Sequence, residues 1–220
     1  KAWVSCQMGR QDGSRWPAVL QRAPYHAGFL PDGKTGWVTI EYRGPDQLSF
    51  YVTTDGGKTW RVPRLPVPPG LEGSLIDVFP LRFFVDGLAN HGVLPVIFHL
   101  VREGSRYDSL AAVFFVTEDG GATWKSARTL WAKGLKPLIA VADAANWRVL
   151  ADSLSESKLY ATRDAGATWV EMGDLRRAFQ IQFVTPVDGW ALSEDNGDPV
   201  LLRTTDGGKN WFQVPVKVVN

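Results

Sequence analysis

The residues best placed to do chemistry are acids in a repeated setting. Asp55, Asp119, Asp164 and Asp206 each occupy the third position of one eight-residue pattern, Thr-x-Asp-x-Gly-x-(Thr/Asn)-Trp, at residues 53–60, 117–124, 162–169 and 204–211. Glycoside hydrolysis would need two carboxylates about 5–9.5 Å apart across a cleft. An aspartate inside a turn has a competing use, because it accepts backbone N–H bonds while the following glycine takes up positive φ. An acid saturated in that way has a lowered pKa and is a poor proton donor. The pattern therefore reads as a structural lock, and no catalytic residue is assigned. Its final residue, Trp60, Trp124, Trp169 or Trp211, opens the next strand and can fold its ring beneath the turn, burying on the order of 150–250 Å². The pattern lacks the closely spaced oxygens of a calcium site, so no metal and no cofactor is expected.

A second group of candidates lies in the longest stretch between two copies of the pattern. Arg82, Asp86, His91, His99, Arg102 and Glu103 are taken as ligand-binding candidates, since loops inserted on a rigid scaffold are where binding concentrates. The spacing of His91 and His99 matches no metal-ligand signature. His99 also falls in an apolar, strand-like run, Val93 to Val101. Arg102 to Arg106 reads as a solvated hairpin loop. Trp16, Trp37, Trp131, Trp147 and Trp190 could stack on sugar rings, although packing between sheets is the default for a tryptophan in such a sequence. There is no Gly-rich phosphate loop, nucleophile elbow or cysteine–histidine couple.

The elements that must position these residues follow from the spacing. Successive pattern aspartates lie 64, 45 and 42 residues apart, and a unit of about 40–50 residues is what a four-stranded propeller blade needs. The longest unit must hold an insertion. A β-rich run precedes each copy (Leu48 to Val52, Leu110 to Val116, Lys158 to Ala161, Val200 to Arg203) and a shorter one follows its tryptophan. Trp37, Trp147 and Trp190, in Gly36-Trp37, Asn146-Trp147 and Gly189-Trp190, precede their aspartates by 18, 17 and 16 residues and mark equivalent second strands. Phe29-Leu30-Pro31, Ile139-Ala140-Val141 and Phe183-Val184-Thr185 mark the first strands. The expected fold is all-β, a small β-propeller of four or five four-stranded antiparallel blades in a single domain, 1–220. The blades are placed at 25–66, 74–130, 136–173 and 178–216. Residues 1–24, whose Lys1-Ala2-Trp3 looks like the tail of a further copy, form a partial or closing blade. If the ring does not close, unpaired strand edges invite a partner or oligomerisation.

Composition narrows the function. The 220 residues carry 24 Lys plus Arg against 23 Asp plus Glu, a net charge of +1, with no basic stripe that would track phosphates, so no nucleic-acid partner is expected. Cys6 is the one cysteine, which excludes an internal disulfide framework. The apolar runs are too short for a membrane span. Ten tryptophans, 22 glycines and 14 prolines suit many short strands joined by tight turns.

The repeated pattern resembles the Asp box, or BNR repeat, of sialidases, other glycoside hydrolases, sortilin-type receptors and the photosystem II assembly-factor family. The resemblance covers most of the chain. Thr-x-Asp-Gly-Gly-x-Thr-Trp with an upstream Gly-Trp is especially similar to the assembly-factor group, which implies a non-enzymatic, extracytoplasmic or secreted propeller acting as a protein-binding or assembly scaffold. The alternative is a glycan-binding or sialidase-like glycoside-hydrolase module. For the arginine motif of sialidases the nearest match is Arg22-Ala23-Pro24, which departs from it in having Gln21 where that family has an aromatic. The chain is also short for a six-bladed catalytic domain.

Overall fold

The computed structural model describes residues 24–30, 32–40, 50–78, 82–86, 89–100, 109–133, 137–152 and 157–216. They form seventeen strands and no helix. Four antiparallel sheets follow one another along the chain. The first joins β1 (Pro24–Phe29), β2 (Gly36–Ile40) and β3 (Phe50–Thr53), and Val52 adds a bridge to Arg61. The third joins β10 (Leu138–Val141), β11 (Trp147–Asp152), β12 (Ser157–Thr162) and β13 (Val170–Asp174). The fourth joins β14 (Gln180–Phe183), β15 (Gly189–Asp195), β16 (Asp198–Thr204) and β17 (Phe212–Gln213).

The second sheet has six strands, and it is where the longest unit spends its extra residues. Its path runs β4 (Leu75–Val78), β6 (Ala89–Leu100), β7 (Ser109–Thr117) and β8 (Lys125–Ser126). The twelve-residue β6 outruns β4, so β5 (Arg82–Asp86) folds back to pair with its first half, and β9 (Leu130–Lys133) pairs with the start of β7 beyond the short β8. Among the described residues the insertion is thus extra sheet.

Strand periodicity explains the stacking. Side chains alternate between the faces of a strand, and on β7 Ala111, Val113 and Phe115 enter one core while Leu110, Ala112 and Phe114 enter another. The near-continuous apolar run of β7 is therefore covered on both faces. The first core joins Phe50 and Val52 of the first sheet to Leu94, Phe98 and Trp124 of the second. The next joins Val93, Ile97 and Phe114 to Trp147 and Val149 of the third. A third joins Leu150 and Leu159 to Ile181, Phe183 and Ala191 of the fourth. The sheets pack in series, face to face, as the blades of a propeller do, and each Asp-box pattern follows the third strand on the main path of its sheet: β3, β7, β12 and β16. Among the described residues no core cluster joins the first sheet to the fourth.

Register corrects one equivalence expected from sequence. Gly36, Trp147 and Gly189 all lie opposite the first threonine of their box, Thr53, Thr162 and Thr204. Trp147 therefore matches the glycines, and Arg148, not Trp147, matches Trp37 and Trp190. A one-residue slip moves a side chain to the opposite face. Likewise Val141, not Ile139, matches Phe29 and Phe183, since these three pair with Trp147, Gly36 and Gly189. The swap conserves volume. A Cβ at Gly36 or Gly189 would lie 2.6 or 2.7 Å from the ring of Phe29 or Phe183, whereas the third sheet puts the small residue first and the ring second. Either way one aromatic meets the box tryptophan: Phe29 with Trp60, Phe183 with Trp211, Trp147 with Trp169.

Candidate functional site

Each box is closed by the same bonds. In the first, the Thr53 hydroxyl donates to Asp55 Oδ1 at 2.8 Å and accepts the Gly57 N–H at 2.9 Å, and Thr59 donates its N–H to Oδ1 at 2.9 Å and its hydroxyl to Oδ2 at 2.6 Å. Asp119 and Asp164 repeat this with Thr117, Thr123, Thr162 and Thr168, and in the fourth box Asn210 replaces the last threonine, its amide reaching Asp206 Oδ2 at 2.7 Å. These bonds favour the charged carboxylate. The Thr59 and Thr168 hydroxyls, followed by their N–H groups, lower Asp55 and Asp164 to about 2. Around Asp119 burial pushes upward, but the bonds from Thr123, Thr117 and Ala122 together outweigh it and leave the value at about 2. The Asn210 N–H leads in lowering Asp206 to about 2. Such acids hold no proton to give at neutral pH.

The third box departs in two respects. Ala165 stands where the others have glycine, with φ at +54°. The indole N–H groups of Trp60, Trp124 and Trp211 donate to Gly57, Gly121 and Gly208 at 3.0–3.2 Å, while the buried Trp169 Nε1 has no hydrogen-bond partner.

The boxes also lock neighbouring sheets together. Arg61 Nη2 of the first sheet donates to the Gly121 carbonyl of the second box at 3.2 Å. A Cβ added at Gly166 of the third box would lie 2.9 Å from Ala127, which follows β8 of the second sheet. At the junction of the third and fourth sheets, Gly208 sits directly against Leu159, and Arg148 reaches across. This arginine is fully buried, and its Nε donates to the Gly207 carbonyl at 3.0 Å, Nη2 to Pro186 at 2.6 Å and Nη1 to Trp147 at 2.9 Å. Its guanidinium lies 4.9 Å from the centre of the Phe183 ring. Its polar partners are neutral carbonyls. Burial, with a smaller repulsion from Arg163, lowers its pKa to about 10.

Beside this junction lies an open groove of about 320 Å³, lined by Ala161, Arg163, Thr168, Val170, Met172 and Lys209. The third box supplies Arg163 and Thr168, β13 supplies Val170 and Met172, and the fourth box supplies Lys209. Val170 is 60 % exposed, a large apolar side chain held in solvent at the groove wall. Gly173 brings β13 close to the fourth box, where a Cβ would meet the Lys209 carbonyl at 3.3 Å. Arg163 and Lys209 are exposed, and neither pairs with a carboxylate among the described residues. With Arg148 behind them, un-neutralised by any hydrogen-bonded acid, they concentrate positive charge over an apolar wall.

The candidates expected in the second sheet are spread along strands. Arg82, Asp86 and His91 share the β5–β6 hairpin, with Arg82 opposite Val93, His91 opposite Phe84 and Asp86 opposite Ala89. His99 lies eight residues beyond His91 on β6, about 26 Å at the usual strand rise, between Leu75 and Leu110. The two histidines do not converge. Arg102 and Glu103 lie outside the described residues, as do Trp16 and Arg22. Among the described residues no group of three His, Cys, Asp or Glu side chains could hold a metal ion, and no helix is long and apolar enough to cross a membrane. Trp147 is fully buried and closed to a sugar ring, whereas Trp131 is 56 % exposed. Sequence reasoning missed Arg148, Arg163 and Lys209. The second and third of these occupy variable positions of the box pattern, where charge was visible but its convergence was not.

Comparison with known proteins matches residues 51–62, the first box, to the BNR/Asp-box repeat model. No curated protein sequence matches the chain. Among solved structures that match is one described as YCF48 bound to D1 peptide, 16 % identical over 90 % of this chain and 87 % of that one, with a TM-score of 0.33.

Proposed function

We propose that this chain is a non-enzymatic protein-binding scaffold of Asp-box sheets, and that the groove between its third and fourth sheets takes an acidic, partly apolar segment of its partner. The observation that supports this most is the pairing of two uncommitted cations, Arg163 and Lys209, with the apolar wall of Val170 and Met172. A carboxylate set between the cations, next to an apolar side chain against Val170, would satisfy both halves of the groove. The box aspartates favour the same reading, because all four are held ionised by their own turns.

Selection from a random peptide library displayed against the chain tests it. Enrichment of acidic–apolar peptides is expected, with binding lost in an Arg163→Glu/Lys209→Glu variant and weakened by salt, since exposed charge pairs are screened. Selection of neutral or basic peptides, or binding indifferent to both substitutions, would overturn it. A glycan array and chromogenic glycosides address the alternative: turnover abolished by substituting an acid would make the chain a hydrolase.

A further inference from the structure

The two ends of the fourth sheet carry clusters of like charge, opposite in sign and each unrelieved. One is the groove, where Arg163 and Lys209 stand exposed without a carboxylate partner among the described residues and Arg163 already repels the buried Arg148 behind it. The other is the β15–β16 hairpin. Asn196 (φ +52°) and Gly197 (φ +93°) make the two-residue turn that tight hairpins favour, and the turn sets Asp195 directly opposite Asp198. Residues facing each other across a strand pair have Cβ atoms about 4.5–5.5 Å apart, and like charges placed so are destabilising. Neither carboxylate has a cationic partner among the described residues, whereas the neighbouring Glu194 pairs with Arg177. The tip is open: residues 194–199 are exposed, and a Cβ at Gly197 would meet nothing within 4 Å. Next to the acids Pro199 is exposed and Val200 half-buried, so the hairpin is itself an acidic, partly apolar segment.

We infer that the occupant of the groove is the β15–β16 hairpin of a second copy of this chain, with Asp195 and Asp198 meeting Arg163 and Lys209 and Pro199 lying against Val170. The inference rests on the groove reading above and names its partner. Docking relieves both repulsions at once, since each cluster supplies the counter-charge the other lacks. A chain does not fill its own groove. Lys209 belongs to the box that follows Thr204, and Thr204 lies opposite Gly189, while the hairpin tip stands at the far end of the seven-residue β15, about 20 Å away at the usual strand rise. Two paired seven-residue strands already hold the hairpin in shape, so little order is lost on docking. Groove and hairpin are different patches, and the contact is therefore heterologous, extending from copy to copy or closing a ring.

Sedimentation velocity of the chain at roughly 1 to 100 µM, a range that reports micromolar association, gives the first reading. Concentration-dependent association is expected, weakening between about 0.1 and 1 M salt as the screening length falls from about 10 to 3 Å; a monomer throughout would overturn the inference. Charge reversal then assigns the two halves. Arg163→Glu/Lys209→Glu and Asp195→Lys/Asp198→Lys, all at exposed positions, should each be monomeric alone, because acid then faces acid or cation faces cation. Their equimolar mixture should associate again, the reversed groove fitting the reversed hairpin and the native groove the native hairpin. Association that persists in either variant, or a mixture that stays monomeric, would contradict it. Should either variant fold poorly by near-ultraviolet circular dichroism, the single reversals Lys209→Glu and Asp198→Lys take their place. Peptide selection on the Asp195→Lys/Asp198→Lys variant, whose groove is intact, separates this inference from the reading it rests on. Acidic–apolar peptides selected there beside a monomeric parent would strike out the second copy and keep the groove, whereas failure to select them would overturn both.

Discussion

Replacing Arg148 with methionine separates two opposed contributions. The guanidinium makes three short bonds to carbonyls, at 2.6, 2.9 and 3.0 Å, two of them across the junction to Pro186 and Gly207. Hydrogen bonds from a charged donor contribute about 1.5–3 kcal/mol each. Against this stands the burial of an unpaired charge, which lowers the pKa from the ordinary arginine range to about 10 and corresponds to a penalty of about 3 kcal/mol. Because the folded value lies below the unfolded one, that penalty is in force at every pH below about 10 and is relieved only above it. Methionine removes the penalty and much of the void, but orphans the Pro186 and Gly207 carbonyls. A net loss of about 2–5 kcal/mol is expected, the bonds outweighing the penalty. Urea denaturation at neutral pH, with the slope compared between proteins, measures it. The exposed Arg203, in a pair of 3.2 Å with Asp188, serves as control, and its methionine variant should lose no more than about 1 kcal/mol. An Arg148→Met variant as stable as the parent would refute the reasoning, showing that the inter-sheet bonds do no more than offset the buried charge.

Three further outcomes follow from the boxes. Because the folded pKa values of about 2 lie below the ordinary 3.8, the aspartates' contribution is whole above about pH 4 and disappears as pH falls through about 2. The urea midpoint should drop across that interval, and less steeply in Asp55→Asn/Asp164→Asn. Ala165→Gly, at φ +54°, should raise stability by up to about 1 kcal/mol, since glycine adopts left-handed backbone without the Cβ clash; a loss in thermal or urea denaturation would count against strain in the third box. Gly189→Ala places a Cβ 2.7 Å from the Phe183 ring and should cost about 1–3 kcal/mol by overpacking. Phe183→Val in the same chain should return part of that, copying the third sheet's Val141 opposite Trp147.

The all-β character and the four locks were legible because acid, glycine and indole recur in fixed order, and each residue type has one local physical use there. The second sheet's extra length was legible as well, but not its form, since nothing local in Arg82–Asp86 says which half of a twelve-residue strand it will pair. Trp147 misled because Asn146-Trp147 imitates Gly-Trp, and a period of two makes a one-residue error a change of face. Arg148 was invisible for a different reason: an arginine reads as solvent-exposed until a neighbouring sheet brings carbonyls to it. The groove was hidden too, since Arg163 and Lys209 belong to different boxes and meet only when one sheet stacks on the next.

The claim beneath all of this is that the second, third and fourth box turns each seat on the sheet before them. Nuclear Overhauser contacts in the methyl-labelled chain test that most directly. Gly208 Hα should show a strong cross-peak to a Leu159 methyl, and Gly166 Hα one to the Ala127 methyl, as the contacts at those glycines require. Leu159 and Ala127 methyls that see only protons of their own sheets would contradict it.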